Sequence, residues 1–195
     1  MMQIPYAAEE RPDTGLYNAK LGMWLFIASE AMLFAGLISG YILLRSGADQ
    51  WPAHQLALLL PALNTAILIT SSMTMVTAWA SLREGDWDRH RRSLATTAAL
   101  GTTFLVIKLI EYARHIRSGE GPAHDTFFGL YYALTGLHAL HIAGGLVAMV
   151  YFLGPGRQLW QQSPAQFTNR IEATGLYWHF VDFVWLFLFA LLYLI

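Results

Sequence analysis

Residues 127–153 read FFGLYYALTGLHALHIAGGLVAMVYFL and contain no Asp, Glu, Lys or Arg. A helix that crosses a lipid bilayer needs about 20 mostly apolar residues, so this stretch is long enough to span. Helix is the expected conformation, because lipid cannot hydrogen-bond an open backbone. Similar segments recur along the chain, and the five together cover 21–44, 56–82, 94–113, 127–153 and 174–195. The sequence predicts an all-α integral membrane bundle of five transmembrane helices, forming one domain over 1–195.

The overall composition agrees with a membrane protein. The 195 residues are 55% hydrophobic and 13% charged, whereas about 25% charge is usual for a soluble domain. The net charge is −1, which leaves no broad basic field for nucleic acid. Cysteine is absent, so disulfides, thiolate metal sites and iron–sulfur clusters are excluded.

The positive charges of the connecting segments predict an orientation. The N-terminal tail, 1–20, and the second and fourth loops carry eight Lys and Arg, and the other two loops carry three. Lys and Arg accumulate in the cytoplasmic loops of membrane proteins. We therefore expect the N-terminal tail in the cytoplasm and the C-terminus on the outer, periplasmic side.

Glu30 lies in the middle of the first apolar segment, with no cation near it in sequence. Ionisable groups at membrane depth are costly and therefore mark candidate functional sites. Removal from water disfavours the charged carboxylate, so we expect this side chain to be neutral. Its two possible roles are a proton-exchanging carboxyl near a proton pathway and a hydrogen bond between helices.

Two further pairs of polar residues have the spacing of one helical face. Lys108 and Glu111 are three residues apart. They could form a structural ion pair, or contact another helix or a lipid head group. His179 and Asp182 have the same spacing. A carboxylate orients a neighbouring imidazole, so these two could form a supporting pair or proton relay, or a polar clasp to another helix.

His138 and His141 form an H-x-x-H pair in the fourth segment. One or both could ligate metal or haem, or hydrogen-bond between helices, but a metal site needs further ligands from other segments. Asn64 lies in a second segment rich in Ser and Thr, residues that join membrane helices. The chain contains no phosphate-binding loop and no HExxH motif. This set of residues is incomplete as an active site and favours a subunit of a larger membrane complex.

Five motifs follow one another along the chain: LFIASE at 25–30 with FAG at 34–36, LNT at 63–65, EY at 111–112, TGLHALH at 135–141 and YWHFVDFVWLF at 177–187. In this order they resemble the cytochrome c oxidase subunit III family of the haem–copper respiratory oxidases. The last motif is the most specific. Many members have seven helices, and this chain resembles the last five, as in the short bacterial type.

The resemblance implies a role without redox chemistry or catalytic residues. Haem and copper would lie in partner subunits, and this chain would bind neither. It would pack on catalytic subunit I, beside subunit II and small subunits, in a complex that reduces O₂ to water and pumps protons. It would bind structural phospholipid, support proton uptake into subunit I and lie in a prokaryotic inner membrane. The family's buried carboxyl would be Glu30, and its shared polar positions would be Glu111, His138, His141, His179 and Asp182.

Other functions are compatible with parts of this pattern. A subunit III-like protein of a nitric oxide reductase or a quinol oxidase would carry similar motifs. A di-haem cytochrome b would need paired axial histidines on facing helices, such as His138 or His141 with His179. A transporter would need a site at mid-membrane on broken helices, often in inverted repeats. Five segments do not divide evenly into repeats, so we rank the transporter last.

Overall fold

The computed structural model describes residues 6–49, 51 and 56–194. The helices are α1 Asn18–Ser46, α2 Leu59–Arg83, α3 Trp87–Arg117, α4 Thr126–Leu153, α5 Gly156–Gln162 and α6 Pro164–Phe189, followed by a π-helical turn over Ala190–Leu194. Five helices are long and apolar enough to cross a membrane, and this part of the chain contains no strand. The predicted all-α fold with five transmembrane helices is confirmed. The start of the predicted tail, part of the first loop and residue 195 lie outside the described residues.

Several helices begin at residues other than those predicted from hydropathy. Helix α2 begins at Leu59, not at 56, and Pro61 lies in its first turn, where the missing N–H costs no hydrogen bond. Helix α3 begins seven residues before 94, because the Asp86 side chain accepts a 2.9 Å hydrogen bond from the backbone N–H of Arg89. Helix α6 begins ten residues before 174, with Pro164 in its first turn.

The segment 154–173, expected to be a loop, is instead mostly helical. It contains α5 and the first ten residues of α6. These residues are polar enough to lie beyond an apolar membrane core, so hydropathy alone began the last predicted span too late. The helix continues because its backbone hydrogen bonds do not depend on the polarity of its outward-facing side chains.

Helices α2, α3, α4 and α6 form a ring, in which each helix packs against the next and α6 closes the ring against α2. Helix α1 packs on the outside of this ring, against α6 and α4. Within its most apolar stretch, the last helix has 44% of its residues buried. In the corresponding stretch of α1, only 6% of the residues are buried. The last helix is therefore the centre of the bundle, and α1 is held by few contacts.

The centre of the bundle is built around Trp178 of α6, which is fully buried. Its indole lies against Gly101 of α3 and Gly145 of α4. A Cβ at Gly101 would lie 2.7 Å from the ring and one at Gly145 would lie 2.8 Å from it. On the far side the indole N–H donates a 3.0 Å hydrogen bond to the Ser71 hydroxyl of α2. One side chain thus connects all four helices of the ring.

Large apolar side chains cover the outward face of α1. Those that are exposed are Trp24, Leu25, Phe26, Met32, Leu33, Ile42, Leu43 and Leu44. A continuous apolar surface of this kind marks contact with a membrane or with a partner protein. This surface is consistent with α1 lying at the edge of the bundle.

Candidate functional site

A buried charged cluster lies where α3, α4 and the final π-helical turn meet. Its members are Lys108, Glu111, Tyr131 and Tyr193, and we call it the lysine cluster. The Lys108 ammonium lies 3.1 Å from the Glu111 carboxylate and donates to the hydroxyls of Tyr131 at 2.9 Å and Tyr193 at 2.7 Å. Both hydroxyls donate to the other Glu111 oxygen, at 2.7 and 2.6 Å. All three N–H donors of the lysine are therefore used.

The lysine cluster is closed to solvent. Only 2% of the Lys108 side chain is exposed, and its ammonium lies 4.7 Å from the centre of the Tyr131 ring and 5.3 Å from that of Trp185. Aromatic faces stabilise a desolvated cation. Of the two roles left open for Lys108 and Glu111, the geometry favours the structural ion pair, which also contacts α4 and the C-terminal turn.

A second polar contact joins α1 to α4. The Nε2 atom of His141 lies 3.0 Å from a carboxyl oxygen of Glu30. The other ring nitrogen, Nδ1, lies 2.8 Å from the backbone carbonyl of Leu137 and must donate to it, because a carbonyl oxygen only accepts. In the neutral ring Nε2 is then an acceptor. The contact consequently holds one proton, carried either by a neutral Glu30 or by an imidazolium that faces a carboxylate.

The Glu30–His141 contact is only partly enclosed. The exposed fraction of the side chain is 17% for Glu30 and 12% for His141, and the Phe34 ring lies 5.1 Å from the imidazole. The Tyr177 hydroxyl donates a 2.8 Å hydrogen bond to the backbone carbonyl of His141, which ties α6 to the same point. This contact is therefore a partly accessible carboxyl and imidazole that share a proton within the membrane-spanning bundle.

The third polar contact joins α2 to α6 through Ser72, one of the Ser and Thr residues of the second segment that were expected to join helices. Its hydroxyl donates to Asp182 at 2.5 Å and lies 2.9 Å from Nδ1 of His179. Since the hydroxyl has one hydrogen, His179 Nδ1 donates to the serine oxygen. This arrangement matches the polar clasp between helices, one of the two roles considered for His179 and Asp182.

His138 and Asn64 are buried away from these contacts. The imidazole of His138 lies 5.5 Å from the Phe104 ring and 5.2 Å from the Trp185 ring. Neither its ring nitrogens nor the amide atoms of Asn64 have a hydrogen-bond partner among the described residues. Although His138 and His141 are three residues apart, one meets α3 and α6 and the other meets α1. The structure thus distributes the predicted polar residues over separate contacts between helices.

Comparison with known proteins identifies the fold family. Residues 13–195 match the family described as cytochrome c oxidase subunit III. The chain belongs to the cytochrome c oxidase subunit III family. With its five apolar helices, this family member is a multi-pass membrane protein. The resemblance noted in the sequence motifs is thereby confirmed.

Individual relatives of this subunit III family member come from several bacteria. It is 38% identical over 187 residues to the cytochrome c oxidase subunit 3 of Synechocystis sp., which covers 94% of this chain and 77% of the relative. Identity to the cytochrome c oxidase subunit 3 of Thermostichus vulcanus is 33% over 190 residues, covering 96% and 90%. Identity to the cytochrome bo(3) ubiquinol oxidase subunit 3 of Pseudomonas aeruginosa is 31% over 180 residues, covering 91% and 85%.

Metal ligation was considered for this family member because of its histidines. Within 6–49, 51 and 56–194, no three side chains of His, Asp or Glu converge closely enough to hold a metal ion. Nδ1 of His141 is used by Leu137 and Nδ1 of His179 by Ser72. His138 keeps both ring nitrogens without a partner, so it is the lack of three converging side chains among the described residues that leaves no ligand set.

Some polar residues of this subunit III member were missed from sequence. The hydroxyls of Tyr131 and Tyr193 complete the lysine cluster, and the ring Nδ1 of His90 donates to the carbonyl of Ala78 at 2.8 Å. Tyr131 could have been found, because it lies seven residues before His138 on the same helical face. His90 fell in a predicted loop, since the charged residues around it interrupt the apolar pattern.

Proposed function

We propose that this chain is the non-redox subunit III of a proton-pumping haem–copper terminal oxidase, in a complex that reduces O₂ to water. The observation that carries the proposal is the family match over 13–195, which includes all five membrane helices and the three polar contacts of the candidate site. Membership in this family implies a complex with other subunits. Haem and copper belong, in this proposal, to the partner subunits.

The arrangement of the histidines favours this role over a di-haem cytochrome b. A haem held by two histidines needs two facing imidazoles with a free nitrogen each. Here His141 contacts Glu30, His179 contacts Ser72, and His138 packs against the rings of Phe104 and Trp185. The three rings therefore serve contacts on different sides of the bundle, which supports an accessory role.

The proposed partner is catalytic subunit I, contacted directly, with subunit II and small subunits in the same complex. The exposed apolar residues on α1 and on other helices provide surface for subunits and for lipid. The proposed location is the prokaryotic inner membrane, with the N-terminus cytoplasmic. The excess of Lys and Arg in the N-terminal tail and in the second and fourth loops supports this orientation.

Glu30 is the proposed carboxyl that supports proton uptake or lipid contact. It is partly exposed, lies on the helix with the least burial, and shares a single proton with His141. Loss of that proton would leave a carboxylate facing the unprotonated Nε2, so proton exchange at Glu30 would be coupled to the strength of the α1–α4 contact. The lysine cluster is closed to solvent and is proposed to act in stability alone.

A quinol oxidase is the second candidate for the complex. The relative from Pseudomonas aeruginosa, at 31% identity, is named a ubiquinol oxidase subunit. The relatives from Synechocystis sp. and Thermostichus vulcanus are named cytochrome c oxidase subunits. The subunit composition of the purified complex would identify the electron donor, because in either case the proposed binding site for the donor lies on another subunit.

The proposal is tested by purifying the tagged chain from native membranes in mild detergent. We expect a large haem- and copper-containing subunit to co-purify, with haem absorbance that stays with that subunit when this chain is separated. The subunit composition of the same sample identifies the donor. Haem that remains on the isolated chain would overturn the proposal and return His138, His141 and His179 to the position of ligands.

Glu30 variants separate its two possible roles. In the purified complex, Glu30→Ala is expected to leave initial turnover largely intact and to shorten sustained activity. Glu30→Gln keeps a side chain that can donate to His141 but cannot exchange a proton. If both variants lose sustained activity, proton exchange is the role. If only the alanine variant does, the hydrogen bond is sufficient. Loss of the haem–copper centre itself in Glu30→Ala would contradict an accessory role.

A further inference from the structure

Helix α1 is attached to the bundle at two separate polar points. Among the described side chains in the apolar part of α1, Glu30 alone hydrogen-bonds to another helix, through its contact with His141 of α4. The other attachment lies at the N-terminal end of α1, where Tyr17 and Lys20 both contact Glu172 of α6. From Lys20 to Glu30 the helix rises about 15 Å. These two points therefore position a helix that is otherwise weakly buried.

The N-terminal attachment consists of several bonds. The Lys20 ammonium lies 2.6 Å from one oxygen of Glu172, and the Tyr17 hydroxyl lies 3.0 Å from the other. Burial, together with the neighbouring Glu172 carboxylate, raises the pKa of the Tyr17 hydroxyl above its usual range, so this group stays a hydrogen-bond donor. The side-chain amide of Asn169 also donates to the backbone carbonyl of Ala8 at 3.2 Å. This end of α1 is therefore held by bonds that do not depend on one shared proton.

The attachment in the middle of α1 depends on a single proton. Because Nδ1 of His141 donates to the Leu137 carbonyl, the proton between Nε2 and Glu30 is the one donor that the contact contains. Its loss leaves two acceptors facing each other at 3.0 Å. Moving the ring proton from Nδ1 to Nε2 would instead leave Nδ1 facing the Leu137 carbonyl as an acceptor, which is also costly. Separation of α1 from α4 removes both conflicts.

The groups around this contact do not compensate for the lost proton. Helix α1 packs against α6 and α4. On α6 the titratable side chain that faces the contact is Tyr177, whose hydroxyl donates to the backbone carbonyl of His141. On α4 the ring of His138 lies against aromatic rings of α3 and α6 instead. Within the described part of the chain, no Lys or Arg forms an ion pair with Glu30. A carboxylate formed at Glu30 thus has no cationic partner in its surroundings.

The remaining contacts of α1 allow it to move as a unit. A Cβ at Gly36 or Gly40 of α1 would meet no atom within 4 Å, whereas one at Gly145 would lie 2.8 Å from the Trp178 ring. The ring of four helices is therefore interlocked by close approaches that α1 lacks at its own glycines. Helices that are held at one end and packed loosely elsewhere can turn about the fixed end.

We propose that α1 pivots about its N-terminal attachment when the proton shared by Glu30 and His141 is lost. With the proton in place, α1 lies against α4. When the proton passes to a water molecule, the two helices separate and Glu30 becomes more accessible, and return of a proton from water restores the contact. A separation of about 2 Å at Glu30 would move Ser46 by about 5 Å, because Ser46 lies more than twice as far from Lys20 along the helix. The inference rests on the proposed role of Glu30 in proton exchange and adds a conformational step to it.

The test measures the position of α1 in the whole purified complex, as the distance between two spin labels in pulsed electron paramagnetic resonance. The chain contains no cysteine, so Ser46→Cys and Ser118→Cys place one label at the exposed end of α1 and one at the exposed end of α3. As the pH is raised, we expect a growing share of molecules with a distance shifted by up to about 5 Å. The complex with the unchanged chain, labelled in the same way, gives the background from other subunits.

Two variants and a second label pair make the result specific. Glu30→Gln keeps a donor for Nε2 that cannot be lost, so we expect the original distance at every pH. Glu30→Ala removes the contact, so the shifted distance should dominate at every pH. Gly22→Cys with Arg91→Cys labels two exposed positions near the N-terminal attachment, and this distance is expected to stay constant in all variants.

Three results would overturn the pivot. One is a distance at Ser46 that stays the same at every pH with Glu30 present. Another is the same pH-dependent shift in Glu30→Gln, because a different group would then be responsible. The third is an equal shift at both label pairs, which would mean that α1 moves without a fixed end. Co-purification of the haem–copper subunit is measured in the same samples. Its absence would contradict the proposed function, and the distances would still decide whether α1 pivots.

Discussion

Lys108→Met is expected to lower the free energy of unfolding by about 3–5 kcal/mol, the cost of breaking a buried ion pair. The variant leaves the Glu111 carboxylate buried, with only the hydroxyls of Tyr131 and Tyr193 as donors. The remaining charge lacks a counter-ion at a site closed to solvent. Equilibrium unfolding of the purified chain in mixed micelles, followed by tryptophan fluorescence, measures the change.

The double variant with Lys108→Met and Glu111→Leu provides the control for this prediction. It removes both charges, and a buried ion pair can often be replaced by apolar side chains at little cost. We therefore expect the double variant to be more stable than Lys108→Met alone. A double variant that is less stable than the single one would show that Glu111 has a stabilising role independent of Lys108.

Gly145→Ala is expected to cost about 1–3 kcal/mol, the usual penalty for an added group in a well-packed core. The new Cβ would lie 2.8 Å from two ring carbons of Trp178, so the indole or helix α4 must move. The indole cannot shift freely, because its adjoining ring atoms pack on Gly101 of α3, where an added Cβ would lie 2.7 Å away, and its N–H donates to Ser71. The same unfolding measurement applies.

The neighbouring Gly144→Ala is a matched control for the substitution at 145. Its Cβ would meet nothing closer than the Tyr177 hydroxyl at 3.6 Å, an ordinary contact. Because alanine favours helix over glycine by about 1 kcal/mol, this variant is expected to be neutral or slightly more stable. Equal destabilisation at 144 and 145 would show that backbone freedom in α4, not contact with Trp178, sets the requirement for glycine.

The bounds of the helices show where hydropathy stops being informative. The predicted segment 127–153 differs from α4, Thr126–Leu153, by a single residue, because nearly the whole of this helix is apolar. The segment 174–195 missed the first ten residues of α6, where the polar residues Gln166, Asn169 and Glu172 interrupt the apolar pattern. Apolar length detects the part of a helix that lies in lipid, whereas caps and backbone hydrogen bonds decide where it begins.

The polar residues of the candidate site were found from sequence only as isolated groups. Their cost in a membrane marks Glu30, Lys108, Glu111 and Asp182 without any knowledge of their neighbours. The spacing of three residues was enough for Lys108 and Glu111, since one helix carries both. It was misleading for His138 and His141, because adjacent faces of α4 meet different helices.

The sequence by itself determined that the chain forms five apolar helices, that it belongs among the subunit III proteins by its motifs, and which ionisable residues lie within the apolar segments. These properties depend on length, polarity and order along the chain, which need no folded structure. Only the tertiary structure decided the partners: Glu30 with His141 across 111 positions, Ser72 with Asp182 across 110, and Tyr193 with Lys108 across 85. Such pairs are set by how the helices pack, through the close approach of Gly101 and Gly145 to Trp178, and no local pattern encodes that packing.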